Sequence, residues 1–155
     1  MARTNEWMVT NMVTATPFET VAEVARRMST KKVGAVLVVK DGDLWGLFSE
    51  RDLLNRVVAQ ERDPRTTDVG EVTTRDVVTI DADAPLHRVL QVFKENRFRH
   101  LPVLRDGKPA GILSTRDFLE FLVQSCERCI DDVIYNRRLA EGFDAYDHPG
   151  GAYDR

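Results

Sequence analysis

Residues that build covalent or metal frameworks are scarce: two cysteines and three histidines in 155 residues. Cys126 and Cys129 stand three apart, with no second pair and no nearby histidine, which makes a poor zinc site. They lie far inside an apolar-periodic segment, whereas a redox C-x-x-C motif opens a helix after a strand. The expectation is two reduced, partly buried helix residues. No apolar run approaches the length that spans a bilayer, and the opening Met1 to Trp7 has no apolar h-region. The expected setting is cytoplasmic, with no membrane contact. An excess of positive charge is also missing. Lys and Arg number 22 against 25 Asp and Glu, a net charge of -3, which speaks against nucleic acid gripped on a broad basic face. Walker-type glycine loops, duplicated carboxylate clusters for magnesium and Ser-His-Asp orders are absent, so neither a catalytic constellation nor a metal site is expected.

What the chain has is repetition. Gly46-Leu-Phe-Ser49-Glu-Arg51-Asp52 returns as Gly111-Ile-Leu-Ser114-Thr-Arg116-Asp117, 65 positions later. The register holds without a gap back to Glu6 against Glu71, through Val13-Thr14 against Val78-Thr79 and Asp41-Gly42 against Asp106-Gly107. With 43% apolar residues the chain can build a core, and neither half alone would bury much, so two copies of one unit should pack together. The negative charge sits at one end. Residues 131–155 carry six acids and three bases, leaving residues 1–130 balanced.

Each copy reads as extended start, helix, strand, turn, strand, helix. Val21, Val24, Ala25 and Met28 form one helical apolar stripe, and Leu86, Val89, Leu90 and Phe93 the other. Thr20 with Glu23 predicts a capping box, and Pro85 marks the first turn of the second helix. Residues 33–39 and 98–104 fit strands, with Pro102 restricted to an edge, an end or a gap in the ladder. Asp-Gly after each predicts a tight hairpin. The first strand must return through its helix to join that hairpin in parallel. Residues 60–68 read as a linker too short for free movement of the halves. After Asp117 a long helical pattern runs through Phe118, Leu122, Cys126, Cys129, Ile130 and Val133 towards Leu139, and its apolar surface needs a partner. From Gly142 onward the composition predicts a flexible end.

The duplicated motif has two readings. In one, Ser49 and Ser114 cap helices and Asp52 and Asp117 complement the helix dipole, which leaves the arginines solvated. In the other, a helix N-terminus with a serine hydroxyl and Arg51 or Arg116 beside it receives a phosphate. The aspartate one turn in then accepts hydrogen bonds from the two hydroxyls of a ribose. Phosphate and vicinal diol together describe a nucleotide.

In these features the chain resembles a tandem cystathionine-β-synthase (CBS) domain pair, the Bateman module, over about residues 6–120. The resemblance rests on Met12-Val13-Thr14 and Val77-Val78-Thr79, the strands ending in Val38 and Val103, both Asp-Gly hairpins and both repeated motifs. It implies an α/β (α+β) fold of two β-α-β-β-α repeats about a pseudo-twofold, with two clefts that take adenosine nucleotides. The expected division is repeat 1 over 6–60, a linker over 61–70, repeat 2 over 71–125, and a helical extension with a flexible acidic tail over 126–155. By the same resemblance Asp52 and Asp117 hold ribose hydroxyls, Ser49 and Ser114 approach phosphate, and Thr14 and Thr79 line adenine and ribose. Where copy one reads Lys32-Val-Gly34-Ala35, copy two reads Arg97-Phe-Arg99-His100, so Arg97, Arg99 and His100 are phosphate candidates and the clefts should bind unequally.

The function that follows is a freestanding, non-enzymatic regulatory module. Its candidate ligands are AMP, ADP, ATP, S-adenosylmethionine or NAD(H), with none required as a cofactor. It is expected to form a homodimer and to report ligand state to an unidentified regulated protein. The rival from another class is an oligomerisation scaffold with empty clefts; an enzyme acting on nucleotides would reveal itself by ATP turnover.

Overall fold

A computed structural model describes residues 12–140. The opening from Glu6 and the acidic end from Gly142, both singled out by the sequence, lie outside them. The described chain divides between Phe118 and Leu119 into two compact units, the first holding both repeats and the second the remainder of the last helix.

Repeat one runs β1 (Thr14–Ala15), α1 (Val21–Lys31), β2 (Ala35–Lys40), β3 (Asp43–Ser49) and α2 (Glu50–Asp52), which continues as a π-helical stretch over Leu53–Val58. Repeat two opens on a short α3 (Val69–Val72), then runs β4 (Ile80–Asp81), α4 (Leu86–Glu95), β5 (His100–Arg105), β6 (Lys108–Ser114) and α5 (Thr115–Ala140). The two three-stranded sheets have orders β1-β2-β3 and β4-β5-β6. In each the first pair is parallel and the hairpin antiparallel, and matching strands carry matching registers, Ala35 opposite Ser49 and His100 opposite Ser114. The predicted α+β duplication is the observed fold.

Local chemistry accounts for the elements. Both hairpins turn on Asp-Gly pairs with positive φ at Asp41, Gly42, Asp106 and Gly107, the geometry that this dipeptide tolerates. Thr20 and Glu23 form the reciprocal capping box at the start of α1. Pro85, expected inside the first turn of α4, instead stands at its N-cap with extended backbone. Pro102 lies in a central strand, yet β4 pairs only from Val103 onward, so the proline occupies the open part of that ladder. In α4 the buried pair is Val89 and Val92 while Leu90 is 42% exposed, so the predicted stripe is rotated on that helix.

The linker is stitched down rather than free. Val21 and Ala22 donate backbone N–H groups to the carbonyls of Thr67 and Pro64, while Val69 and Gly70 donate to Glu19 and Pro17. Val69 and Val72 then join Val21, Val24, Met28, Val36, Val38, Phe48 and Val57 in one buried cluster, so the opening of repeat two completes the core of repeat one. Fully burying one such side chain is worth about 1.5–3 kcal/mol.

Beyond α3, Thr74 exchanges two backbone hydrogen bonds of 2.9 Å with Leu47 on the outer edge of β3. A Cβ on Gly46 would come within 2.3 Å of the Thr74 carbonyl, so this approach requires glycine. Arg75 secures the same edge: its guanidinium stacks 3.4 Å from the Trp45 ring centroid and its Nε donates to the Trp45 carbonyl. Between the repeats, β3 and β6 pack together, and Lys108 pairs with Asp43 across the two hairpins.

Candidate functional site

Both copies of the motif fold alike. The strand ends on a serine in extended conformation whose hydroxyl meets the N–H of the aspartate three residues on. Ser49 Oγ accepts from Asp52 N at 3.4 Å and donates to Asp52 Oδ2 at 2.7 Å. Ser114 Oγ accepts from Asp117 N at 3.0 Å and donates to Asp117 Oδ2 at 2.6 Å. The capping reading therefore holds in both copies, and it leaves one carboxylate oxygen on each aspartate for other work.

That second oxygen separates the copies. Asp52 Oδ1 accepts from Thr74 Oγ1 at 3.1 Å and lies 3.4 Å from Arg56 Nε, and Asp52 is 9% exposed. Asp117 Oδ1 has no hydrogen bond among the described residues, and Asp117 is only half-buried. The register explains the difference. The positions matching Thr74 and Arg56 are Val9 and Phe121, which carry no side-chain donor; Val9 lies outside the described residues.

Two clefts lie over these motifs. The larger, about 760 Å³, takes Ser114, Arg116 and Asp117 from repeat two and Met12, Val13, Gly34 and Ala35 from repeat one. The smaller, about 220 Å³, takes Ser49, Arg51 and Asp52 from repeat one and Asp76, Val77, Val78 and Phe98 from repeat two. Each motif thus faces the opening of the other repeat, at matching positions. Where the small cleft has Phe98, Arg99 and His100, the large one has Val33, Gly34 and Ala35, and the lost side-chain volume becomes space.

Arg99 and His100 line both clefts and so form their common wall. Burial, then the neighbouring Arg99, holds the His100 imidazole below its ordinary value of 6.5, with Glu50 and Asp117 acting the other way. Near neutral pH the wall therefore presents one fixed cation and one largely neutral imidazole.

Of the residues picked out in the sequence, the structure brings Ser114, Arg116, Asp117, Arg99 and His100 to the large cleft and Ser49, Arg51, Asp52, Arg99 and His100 to the small one. Thr14, Thr79 and Arg97 line neither. Thr14 is exposed and its carbonyl accepts from Arg27 Nη1, while its neighbour Val13 faces the large cleft; Val78 and Thr79 divide in the same way at the small one. Extended backbone alternates its faces, so one residue of shift changes which side chain the cleft meets. Glu50 and Leu53 in the large cleft and Asp76 in the small one were not singled out beforehand. Aligning the copies position by position was the available signal for the Thr74 contact.

The cysteines depart from expectation. Both are exposed on α5 rather than partly buried. Among the described residues no cluster of three or more His, Cys, Asp or Glu could hold a metal ion, and no helix is long and apolar enough to cross a membrane.

Comparison with known proteins agrees with this architecture. Residues 5–59 and 69–124 each match the CBS domain family. The CBS domain-containing protein CBSX3, mitochondrial, of Arabidopsis thaliana is 33% identical over 110 residues, covering 68% of this chain and 53% of that protein. Protein MK0525 of Methanopyrus kandleri is 30% identical over 122 residues, covering 76% of this chain and 62% of that one. The chain thus spans between half and two thirds of these relatives' length. The crystal structure of the CBS-domain containing protein ATU1752 from Agrobacterium tumefaciens superposes with a TM-score of 0.65 at 32% identity, over 72% of this chain and 89% of that one.

Proposed function

This chain belongs to the CBS domain family, and we propose that it is an adenine-nucleotide-binding regulatory module whose ligand occupies the larger cleft. The observation that carries this reading is Asp117, which lines a cleft of about 760 Å³ beside a capped helix N-terminus and whose Oδ1 has no hydrogen bond among the described residues. A ribose diol donates to that oxygen. Phosphates extend towards Arg99 and His100, with Arg116 at the rim. The base lies against Met12, Val13 and the space beside Gly34 and Ala35. Charge-assisted hydrogen bonds of this kind contribute roughly 1.5–3 kcal/mol each, so a few give micromolar binding once association costs are met.

The smaller cleft is empty in this reading. Its volume of about 220 Å³ lies below the range of about 300–1,000 Å³ usual for small-molecule sites, and Thr74 and Arg56 already hold Asp52. Ligand in the large cleft bridges the two repeats, and its differential affinity for two packings of them is the regulatory signal, read by a protein partner. The module does no chemistry of its own.

Thermal unfolding with AMP, ADP, ATP, S-adenosylmethionine and NADH tests the reading. The CBS domain pair of MJ0100, which shares this fold at 20% identity with a TM-score of 0.73, was crystallised with 5′-methylthioadenosine and S-adenosyl-L-methionine. Those ligands belong to that protein, and both compounds belong in the panel. Ligand at a hundredfold over its dissociation constant stabilises by about 2.7 kcal/mol, a rise of several degrees in a domain of this size. A midpoint that no nucleotide moves favours the scaffold reading. ATP turnover by the purified chain would favour an enzyme.

A further inference from the structure

The outer edges of the two sheets differ. On β3 the edge is closed by the segment that precedes β4: Thr74 exchanges its two hydrogen bonds with Leu47, Val72 is buried in the core of repeat one, and Asp76 lines the small cleft. On β6, the last strand of its sheet, no described residue bridges to Ile112, which matches Leu47. Such an edge offers N–H and C=O groups to an added strand. Two features of β6 suit it to receive one. Pro102 stands opposite Ile112, and because proline has no N–H this is a non-hydrogen-bonded pair. Ile112 therefore turns both backbone groups outward, as Leu47 does towards Thr74. Gly111 is buried and its φ is not positive, so its own backbone has no need of glycine. At the matching Gly46 the need comes from the Thr74 carbonyl, which a Cβ would overlap, and Gly111 keeps the same clearance on β6.

We propose that residues 8–11 of this chain form the added strand on β6 and bring Asn11 into the large cleft, where its carboxamide reads the base of the nucleotide. The repeat register selects this occupant. Val9 matches Thr74 and Asn11 matches Asp76. The described residues begin at Met12, which lines the large cleft with Val13 just as Val77 and Val78 line the small one beside Asp76. Trp7 matches Val72, which is 1% exposed, so an apolar side chain is again available for cover. Ala110 and Thr10 stand where Trp45 and Arg75 stack, so this strand is held without that clamp. The role of Asn11 rests on the nucleotide reading; the strand does not. A carboxamide both donates and accepts, which fits the N7 and the N6 amino group of adenine, whereas guanine presents two acceptors, O6 and N7. The carboxylate at the matching position in the small cleft could only accept.

Fluorescence of the full chain tests the strand. In Trp45→Phe the remaining tryptophan is Trp7, whose emission should be blue-shifted and shielded from acrylamide in the folded protein. Adding Val9→Pro removes the N–H that the Ile112 carbonyl would receive. The quenching constant should then rise severalfold while circular dichroism shows the fold retained. A Trp7 as open to acrylamide in the folded protein as in urea overturns the strand, and so does a shielded Trp7 that Val9→Pro leaves unmoved. Calorimetry tests the reading of the base. The unaltered chain should bind AMP about ten- to hundredfold more tightly than GMP, and Asn11→Ala should erase that preference by weakening AMP while GMP stays within about twofold. A preference that survives in Asn11→Ala overturns the role of Asn11. A chain that binds neither nucleotide overturns it too, together with the nucleotide reading, whereas a Trp7 shielded until Val9→Pro exposes it upholds the strand in either case.

Discussion

The two motifs carry the same serine, arginine and aspartate at the same register, yet Asp52 is tied on both oxygens while Asp117 Oδ1 has no hydrogen bond among the described residues. Two kinds of substitution separate them. Thr74 and Arg56 hold Asp52 where Val9 and Phe121 stand at the matching positions, and Phe98, Arg99 and His100 fill a place that Val33, Gly34 and Ala35 leave open. The lesson is that duplication preserves a binding motif more readily than a binding site. A carboxylate that already has its partners gains little from a ribose, because each new hydrogen bond must replace one already made.

The sharpest way to break the comparison is to give the large cleft the side chain its counterpart has. In Gly34→Arg the added Cβ sits 3.4 Å from Glu50 Oε2 and His100 Nε2, a tolerable contact, while the rest of the side chain fills the space proposed for nucleotide. Nucleotide affinity measured by calorimetry should fall by two orders of magnitude or more, with the unfolding midpoint of the free protein little changed. Unchanged affinity would move the ligand out of this cleft.

Asp117→Ala should cost the hydrogen bonds to the ribose, about 1.5–3 kcal/mol or roughly a ten- to hundredfold loss of affinity. Asp52→Ala is its opposite. Affinity should stay within about twofold, while urea unfolding shows a loss of roughly 1–3 kcal/mol as Ser49, Thr74 and Arg56 lose a shared partner. If the two variants behave alike, the asymmetry between the clefts has been misread.

His100 supplies the smallest effect and a signature in pH. Its folded value is depressed, so above pH 6.5 it is neutral in folded and unfolded chains alike. As pH falls below 6.5 the unfolded chain takes up a proton first, and stability declines until the folded value is passed. A bound phosphate beside the imidazole reverses the preference, so binding takes up a proton and ATP affinity should rise severalfold between pH 7.5 and 5.5. Adenosine, without phosphate, should show no such rise, and His100→Gln should abolish it. A slope that survives in His100→Gln belongs to another group.

Much of this molecule was legible because its signals are local. Asp-Gly sets both hairpins, Thr20 and Glu23 cap α1, and Ser-x-x-Asp caps the helix after each hairpin within four residues of chain. Long-range contacts were not legible in that way. Thr74 reaches Asp52 from 22 positions along the chain, and Arg99 lines two clefts because the repeats face each other. Val13 and Val78 line the clefts where Thr14 and Thr79 were expected, a difference of one step of strand alternation, which sequence cannot phase without knowing which face is covered. Leu90 was misplaced by a small rotation of α4, which buries Val89 and Val92 and leaves Leu90 42% exposed.

By itself, then, the sequence determined the duplicated α+β unit, its two motifs and the inequality of their surroundings, because turn, cap and periodicity depend on neighbours a few residues apart. Only the tertiary structure decided which aspartate is held on both oxygens and which cleft has room. Those outcomes depend on what the other repeat places against each motif, and that proximity is created by folding.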